Sequence, residues 1–136
     1  MAGIGVRNPW ARVQTVESRE AGGFMILLNS GPREDRLLGA HCSIAEKVDL
    51  YGIKVVGSEI RMRPMAKGLR LSVDLPIELK PRGYHLLFQG LKEPLVLGRT
   101  ILATLNFERM GLLDVELVVK KQGAVGKDTL NAPRTD

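Results

Sequence analysis

The sequence predicts an all-β domain, a sandwich or a barrel, on the basis of three observations. Apolar and polar residues alternate with a period of two in several segments. Glycine, proline and asparagine separate these segments at short intervals, as turn residues do. No stretch carries the 3.6-residue period of a long helix. Many short strands at close spacing are typical of sandwiches and barrels.

The clearest predicted strands lie in the second half of the chain. Residues 101–107 alternate between apolar odd positions and mixed even positions, and residues 115–120 repeat this alternation. The segment Arg109-Met110-Gly111 between them predicts a turn, so the two runs should form an antiparallel hairpin. Ser43 and Glu46 form a short capping-box pattern, which predicts one helical turn over residues 43–47. The other predicted strands are residues 3–6, 10–14, 23–29, 36–40, 48–55, 59–65, 69–72, 77–79 and 85–90.

The length of 136 residues fits one domain with a modest core, since 44% of the residues are hydrophobic. We expect this domain to span residues 1–121. Residues 122–136 are polar and contain glycine, proline and asparagine without alternation, which predicts a flexible tail. No apolar run approaches the ~20 residues of a membrane-spanning helix, so no membrane insertion is predicted.

The charge balance narrows the class of partner. The net charge is +5, but the 20 lysines and arginines are scattered rather than clustered. Aromatic residues make up 4% of the chain, which leaves few platforms for stacking bases. We therefore expect no nucleic acid partner, whereas contact with an acidic protein is compatible with this surface.

The sequence leaves the cellular compartment open. Cys42 is the single cysteine, so no intramolecular disulfide can form, which suits a reducing compartment and equally an exported protein without disulfides. The first six residues show no charged segment followed by an apolar one, so no secretory signal is visible. Either the protein is cytosolic or a signal has been removed.

Motifs for catalysis are missing from the sequence. A Ser–His–Asp set cannot be nominated from His41 and His85, and there is no Gly-X-Ser-X-Gly elbow. Gly22-Gly23 leads into a predicted strand rather than a helix, so it does not form a phosphate loop. A Cys42–His nucleophile pair rests on residue type alone. We predict that the protein is not an enzyme.

Seven short segments, in order along the chain, carry a resemblance to the PCuAC family of periplasmic copper chaperones. Each motif is weak by itself, but seven in register over roughly residues 4–120 are fairly specific. The resemblance implies a greek-key β-sandwich of the cupredoxin-like type. The segments are residues 9–12 (PWAR), 21–29 (AGGFMILLN), 35–40 (DRLLGA), 61–64 (RMRP), 79–85 (LKPRGYH), 90–92 (GLK) and 105–108 (LNFE).

The resemblance also implies a function. Members of this family hold Cu(I) with two histidines and two methionines and deliver it to a cuproprotein, such as the copper centre of a terminal oxidase, or to an oxidase assembly factor. Thioether sulfur suits Cu(I), which is a soft ion, better than harder oxygen donors do. The implied location is the periplasm, and the oligomeric state stays open.

Two of the four implied copper ligands are present in this chain. Met62 matches the family methionine in the Arg-Met-Arg-Pro segment, and His85 matches the family histidine in the Gly-Tyr-His segment. Tyr51 stands where the family has its other histidine, and Leu87 stands where it has its other methionine. The resemblance therefore implies a weakened Cu(I) site on Met62 and His85. The alternative is a paralogue that binds no metal and uses the same scaffold to contact a protein partner.

Three other residues carry donor atoms that could replace the missing ligands. Met65 lies three positions after Met62, so in a strand it should point to the opposite face unless Pro64 bends the chain. His41 and Cys42 carry suitable donor atoms but do not occupy family ligand positions.

Arg82 stands where the family often has a glycine, so a positive φ there would cost stability.

Overall fold

The computed structural model describes residues 3–13 and 18–121, and their fold confirms the all-β prediction. Among these residues there is no candidate for a membrane-spanning helix. The strands of these residues are β1 (Ile4–Val13), β2 (Glu20–Asn29), β3 (Asp35–His41), β4 (Ala45–Val56), β5 (Glu59–Pro64), β6 (Leu69–Leu71), β7 (Ile77–Leu79), β8 (His85–Leu91), β9 (Thr100–Phe107) and β10 (Gly111–Lys121).

Seven of the strands close into a ring. The order of hydrogen-bonded neighbours is β5-β4-β8-β2-β1-β10-β9-β3-β6, and β4 also pairs with β3 where Val48 meets Ala40. β1 and β10 are parallel, whereas the other strand pairs are antiparallel. Closure gives the strands of the ring partners on both sides, which protects their backbone groups from pairing with other chains. β5 lies outside the ring, at one end of the sheet.

The core occupies the inside of this ring. The apolar positions that alternate along β9 are all buried, as their period predicts. Of the β10 residues that face them, Val115 and Leu117 are buried and Leu113 is half-buried against the core. β9 and β10 form the predicted antiparallel hairpin, with Phe107 opposite Gly111. We call the side of the sheet that faces away from this core the outer face. On β4 and β8 it carries the odd-numbered residues from Lys47 to Ile53 and from His85 to Gln89.

A buried carboxylate fixes the end of the β9–β10 hairpin. Asp35 is 5% exposed, and its oxygens accept hydrogen bonds from the backbone N–H groups of Arg36, Arg109 and Met110 at 2.7, 2.8 and 3.0 Å. These bonds replace the water that a buried carboxylate loses, so the charge is tolerated there. The sequence pattern gave no sign of this role.

Two sequence-based expectations differ from the structure, and a third lies outside the described residues. The strands predicted at residues 3–6 and 10–14 are one strand, β1, with a register shift between Arg7 and Trp10 where Asn8 takes a positive φ of 51°. The helical turn predicted over residues 43–47 is wrong. β4 begins at Ala45, whose N–H bonds to the Cys42 carbonyl in a tight turn, because pairing with β8 satisfies the backbone over a longer stretch. The predicted tail, residues 122–136, lies outside the described residues.

Candidate metal centre

The strand register places the two predicted copper ligands on one face of the sheet. Tyr51 on β4 lies directly opposite His85 on β8 and opposite Pro64 on β5. Met62 lies opposite Ile53, and Ile53 follows Tyr51 by two residues along β4. Residues directly paired across strands, and residues two apart along a strand, point to the same face. Met62, Tyr51 and His85 therefore share the outer face.

Met62 and His85 flank β4 from opposite sides. Two strand spacings of about 4.8 Å and two residues of about 3.4 Å separate them, so ideal sheet geometry sets their Cα atoms roughly 12 Å apart. A shared ion would require both side chains to lean over β4. Tyr51 occupies that middle position, since it lies opposite His85 and diagonal to Met62.

The imidazole of His85 is oriented by the turn that precedes β8. Its Nδ1 lies 2.9 Å from the carbonyl oxygen of Gly83, which can only accept a hydrogen bond, so Nδ1 carries the proton. The lone pair of the neutral ring is then on Nε2, the nitrogen that a metal ion would use. The half-buried ring thus has a defined tautomer.

The same turn contains a strained residue. The Gly83 N–H bonds to the Lys80 carbonyl at 2.9 Å, and Arg82 takes a positive φ of 68°. The positive φ that the sequence analysis considered for Arg82 is therefore present. A left-handed conformation costs a residue other than glycine roughly 1–2 kcal/mol, so this chain maintains the turn at some expense.

Tyr51 stacks on His85 instead of leaving space beside it. Their ring centroids are 5.8 Å apart and the planes differ by 12°. Phe24 on β2 approaches the other side of the imidazole at 6.2 Å, and Trp10 on β1 packs against Phe24 at 4.6 Å. We call these four residues, which lie on four successive strands of the sheet, the aromatic row. The row places Tyr51 as its last ring before β5.

Two cations lie over the two rings of the aromatic row that are farthest from β5. The Arg12 guanidinium carbon lies 5.4 Å from the centre of the Phe24 ring, and Lys120 Nζ lies 5.8 Å from the centre of Trp10. Trp10 and Phe24 are 9% and 2% exposed, although they are separate from the main core cluster. They form a second, smaller apolar cluster on the outside of the ring. Trp10 therefore acts as the anchor of an outer cluster.

The remaining family position, Leu87, and its neighbour on the same face, Gln89, carry side chains that have other contacts. Leu87 lies on the outer face, half-buried, opposite Gly22 and Asp49. The Gln89 side-chain amide donates to Asp49 at 2.7 Å, and Lys47 lies 3.4 Å from the same carboxylate oxygen. Neither position offers sulfur, so the thioether of Met62 and the imidazole of His85 are the soft donors of this region.

Three methionines of the chain, Met25, Met62 and Met65, differ in their surroundings. Met25 is 1% exposed and fills the core, whereas Met62 is 44% exposed on the outer face. Met65 lies over Gly52, where a Cβ atom would approach its Sδ to 2.7 Å. Because Gly52 is adjacent to Tyr51 in the strand, Met65 is on the opposite face from Met62, as its spacing predicts.

His41 and Cys42 do not form a replacement site. His41 is exposed at the end of β3, whereas Cys42 is buried at 2% exposure, so the two side chains lie in different environments. Burial raises the pKa of the Cys42 thiol above its usual value, which disfavours the thiolate that a metal would need. Within residues 3–13 and 18–121, no three histidine, cysteine or acidic side chains come together as a metal-binding group.

Two features of this face were missed by the sequence analysis. Phe24 and Met25 are adjacent apolar residues, and the pattern did not indicate which of them faces the core. The apolar residues Ile53, Val55 and Ile60 lie beside Met62 on one face of the β4–β5 hairpin. Their alternation on both sides of Gly57 was a visible signal for this second feature.

Comparison with known proteins identifies relatives over most of the chain. Residues 4–119 match the family model described as "Putative lipoprotein LpqE-like". The Leifsonia xyli protein named "Putative lipoprotein Lxx21020" is 28% identical over 118 residues, which covers 87% of this chain and 70% of that protein.

Solved structures share the fold. The copper-bound PCuAC domain from PmoF2 has a TM-score of 0.72 and 21% identity, and the match covers 89% of this chain and 96% of that domain. The Cu(I) form of DR1885 from Deinococcus radiodurans has a TM-score of 0.62 and 25% identity, with 90% of this chain and 78% of that protein covered. These matches confirm the cupredoxin-like fold class that the resemblance implied.

Proposed function

The chain belongs to the LpqE-like lipoprotein family, and from this membership and its PCuAC fold we propose that it is a Cu(I)-binding, metallochaperone-like protein. One observation carries the proposal. Met62 and His85 lie on the same outer face, on the two flanks of β4, with the His85 tautomer fixed so that Nε2 bears the lone pair. These are a soft sulfur donor and a neutral nitrogen donor, the pair that Cu(I) prefers.

The outer shell of this site supports the same chemistry. The Gly83 carbonyl holds Nδ1, which is the arrangement that orients a metal-binding imidazole and raises its basicity. Both proposed ligands are neutral, so binding would need no proton release from the protein. Two solved structures of this fold, those of the PmoF2 domain and DR1885, are copper-bound forms.

Tyr51 determines how strong this site is. The side chain stacks on His85 and stands between the two donors, so a Cu(I) ion shared by Met62 and His85 requires the Tyr51 ring to shift. With two donors in place of four, we expect weaker binding than in the copper-binding relatives. Weak binding is compatible with a carrier that must release its ion.

The proposed location and partner follow from the family. An LpqE-like lipoprotein is expected outside the cytoplasm and anchored to a membrane. We propose the periplasmic side of the membrane as the working location. The recipient would be a cuproprotein, such as the copper centre of a terminal oxidase, or an oxidase assembly factor.

A competition titration tests copper binding. Cu(I) is added to the protein in the presence of a chromogenic Cu(I) chelator, and the amount withdrawn by the protein is measured. We expect one equivalent to bind, and binding to be lost in His85→Ala and in Met62→Leu. His41→Ala is the matched control, since His41 is exposed and outside the site. If the parent protein withdraws no copper, the proposal fails.

A second function is favoured by one observation, the close stacking of Tyr51 on His85 with Leu87 on the same face. This packing is typical of an apolar contact surface. A metal-free paralogue that contacts a protein partner would retain the scaffold and use this surface. The titration separates the two functions, because the metal-free paralogue withdraws no copper.

A further inference from the structure

The β4–β5 hairpin extends beyond the ring. The pairing of β4 with β8 ends at Tyr51, and the following residues of β4 pair with β5 as far as the turn at Gly57-Ser58. Gly57 takes a positive φ of 62°, which suits a two-residue hairpin turn with glycine first. Every residue from 53 to 63 is exposed. We call this segment the projecting hairpin.

One face of the projecting hairpin is apolar. Ile53 lies opposite Met62, and Val55 lies opposite Ile60, so these four side chains point to the same side. Val55 and Ile60 are 65% and 63% exposed, which is high for large aliphatic residues. A contiguous exposed apolar surface of this kind marks an interaction site.

The reverse face of the projecting hairpin carries excess positive charge, with one exposed aliphatic residue, Val56, near the turn. Lys54 lies opposite Arg61, and Arg63 follows on the same side. Glu59 is the acidic residue of the segment, and its carboxylate lies 2.8 Å from the Arg61 guanidinium. The segment therefore combines an apolar face with a face of excess positive charge.

We propose that the projecting hairpin binds the surface of an anionic lipid bilayer. Amphipathic elements with an apolar face and a basic polar face lie in the membrane interface, where apolar burial and attraction to anionic headgroups act together. Long lysine and arginine side chains can reach the headgroups while the neighbouring apolar residues enter the boundary with the acyl chains. The ribbon would lie in the plane of the interface, with its apolar face at the acyl-chain boundary and the cations of its reverse face among the headgroups.

Other occupants fit less well. A globular partner seated on the apolar face would leave the three cations on the far side of the ribbon unused. A second copy would need roughly 800 Å² from each protomer for a stable interface, which four partly covered side chains do not supply. The contact lies in the interface and needs no spanning segment, in keeping with the lack of a long apolar run.

Vesicle flotation tests this proposal on the metal-free chain, so it does not depend on copper binding. The chain is mixed with vesicles of phosphatidylcholine and phosphatidylglycerol, or of phosphatidylcholine alone, and floated through a density gradient. We expect binding to the anionic vesicles that decreases at high salt. In Val55→Ser/Ile60→Ser, we expect at least ~10-fold weaker partitioning, because both changes remove exposed apolar contacts.

Two further variants complete the test. Lys54→Gln/Arg61→Gln/Arg63→Gln should lose the preference for anionic vesicles. Leu102→Ser/Leu112→Ser is the matched control and should float like the parent, because these leucines are 54% and 71% exposed on other strands. The proposal is overturned if the parent does not float, or if Val55→Ser/Ile60→Ser floats equally well. It is also overturned if the parent forms a dimer that Val55→Ser/Ile60→Ser abolishes.

Discussion

Two adjoining regions of the outer face carry large apolar side chains: the aromatic row on β1, β2, β8 and β4, and the projecting hairpin of β4 and β5. In the first region, Phe24 is 2% exposed beneath Trp10 and the Arg12 guanidinium. In the second, Val55 and Ile60 remain more than half exposed. Trp10 and Phe24 of the aromatic row are covered by the protein itself, whereas the projecting hairpin leaves its aliphatic side chains open to solvent.

His85 and Tyr51 stand at the boundary between these regions. On one side, the His85 imidazole contacts buried Phe24, and on the other side it stacks on Tyr51. The residue opposite Tyr51 on β5 is Pro64, which is exposed. A histidine at such a boundary is held in place by packing and yet accessible from one direction. This position suits an ion-binding group that must exchange its cargo.

The largest expected effect is on the free energy of unfolding, and it comes from a substitution in the covered region. Phe24→Ala removes a buried ring from the outer cluster and should lower the free energy of unfolding by about 3–5 kcal/mol, because burial is lost and a cavity remains. Urea denaturation measures this change. Ile60→Ala, an exposed aliphatic residue of the projecting hairpin, is the control and should change stability by less than about 0.5 kcal/mol. Equal effects in the two variants would mean that the regions do not differ.

How much of this contrast the sequence could predict depends on the range of the interactions. Period-two alternation is local, so it identified the strands and the β9–β10 hairpin. The face on which Phe24 lies depends on the pairing of β2 with β1 and with β8. Of these two partners, β8 is distant from β2 in sequence. The buried role of Asp35 likewise depends on backbone groups 74 and 75 residues away.

The candidate site shows the same division. Resemblance nominated Met62 and His85 one by one, from short motifs. That Tyr51 lies between them, stacked on one and diagonal to the other, follows from the register of β4 with both of its neighbours. No local pattern carries this information, so the sequence identified the donors but not the ring that separates them.

The second-largest expected effect concerns Cu(I) affinity at the boundary between the two regions. Tyr51→His/Leu87→Met adds a nitrogen donor directly opposite His85 and a sulfur donor two residues along β8 on the same face. Outer-shell partners alone change metal affinity by about 10–100-fold, so two direct donors should raise Cu(I) affinity at least ~100-fold, or about 2.7 kcal/mol. The chelator titration measures it.

Tyr51→Phe/Leu87→Ile is the matched control for that variant, because it keeps an aromatic ring and an aliphatic side chain without adding donors. Its Cu(I) affinity should equal that of the parent. An unchanged affinity in Tyr51→His/Leu87→Met would show that the outer face at β4 and β8 cannot gather four donors around one ion, and the assignment of Met62 and His85 to a shared site would then be wrong.

The smallest effect concerns the cation that covers the aromatic row. Arg12→Met keeps an apolar stem over Phe24 but removes the guanidinium, whose attraction to the ring is worth about 0.5 kcal/mol or slightly more. Urea denaturation should show this loss for Arg12→Met and no comparable loss for Lys54→Met, since Lys54 is an exposed cation of the projecting hairpin. The expected order follows from what each cation touches. Arg12 lies over an aromatic face, whereas Lys54 points to solvent. If Lys54→Met proved the more costly change, the projecting hairpin would already be covered within the chain, and it would need no partner.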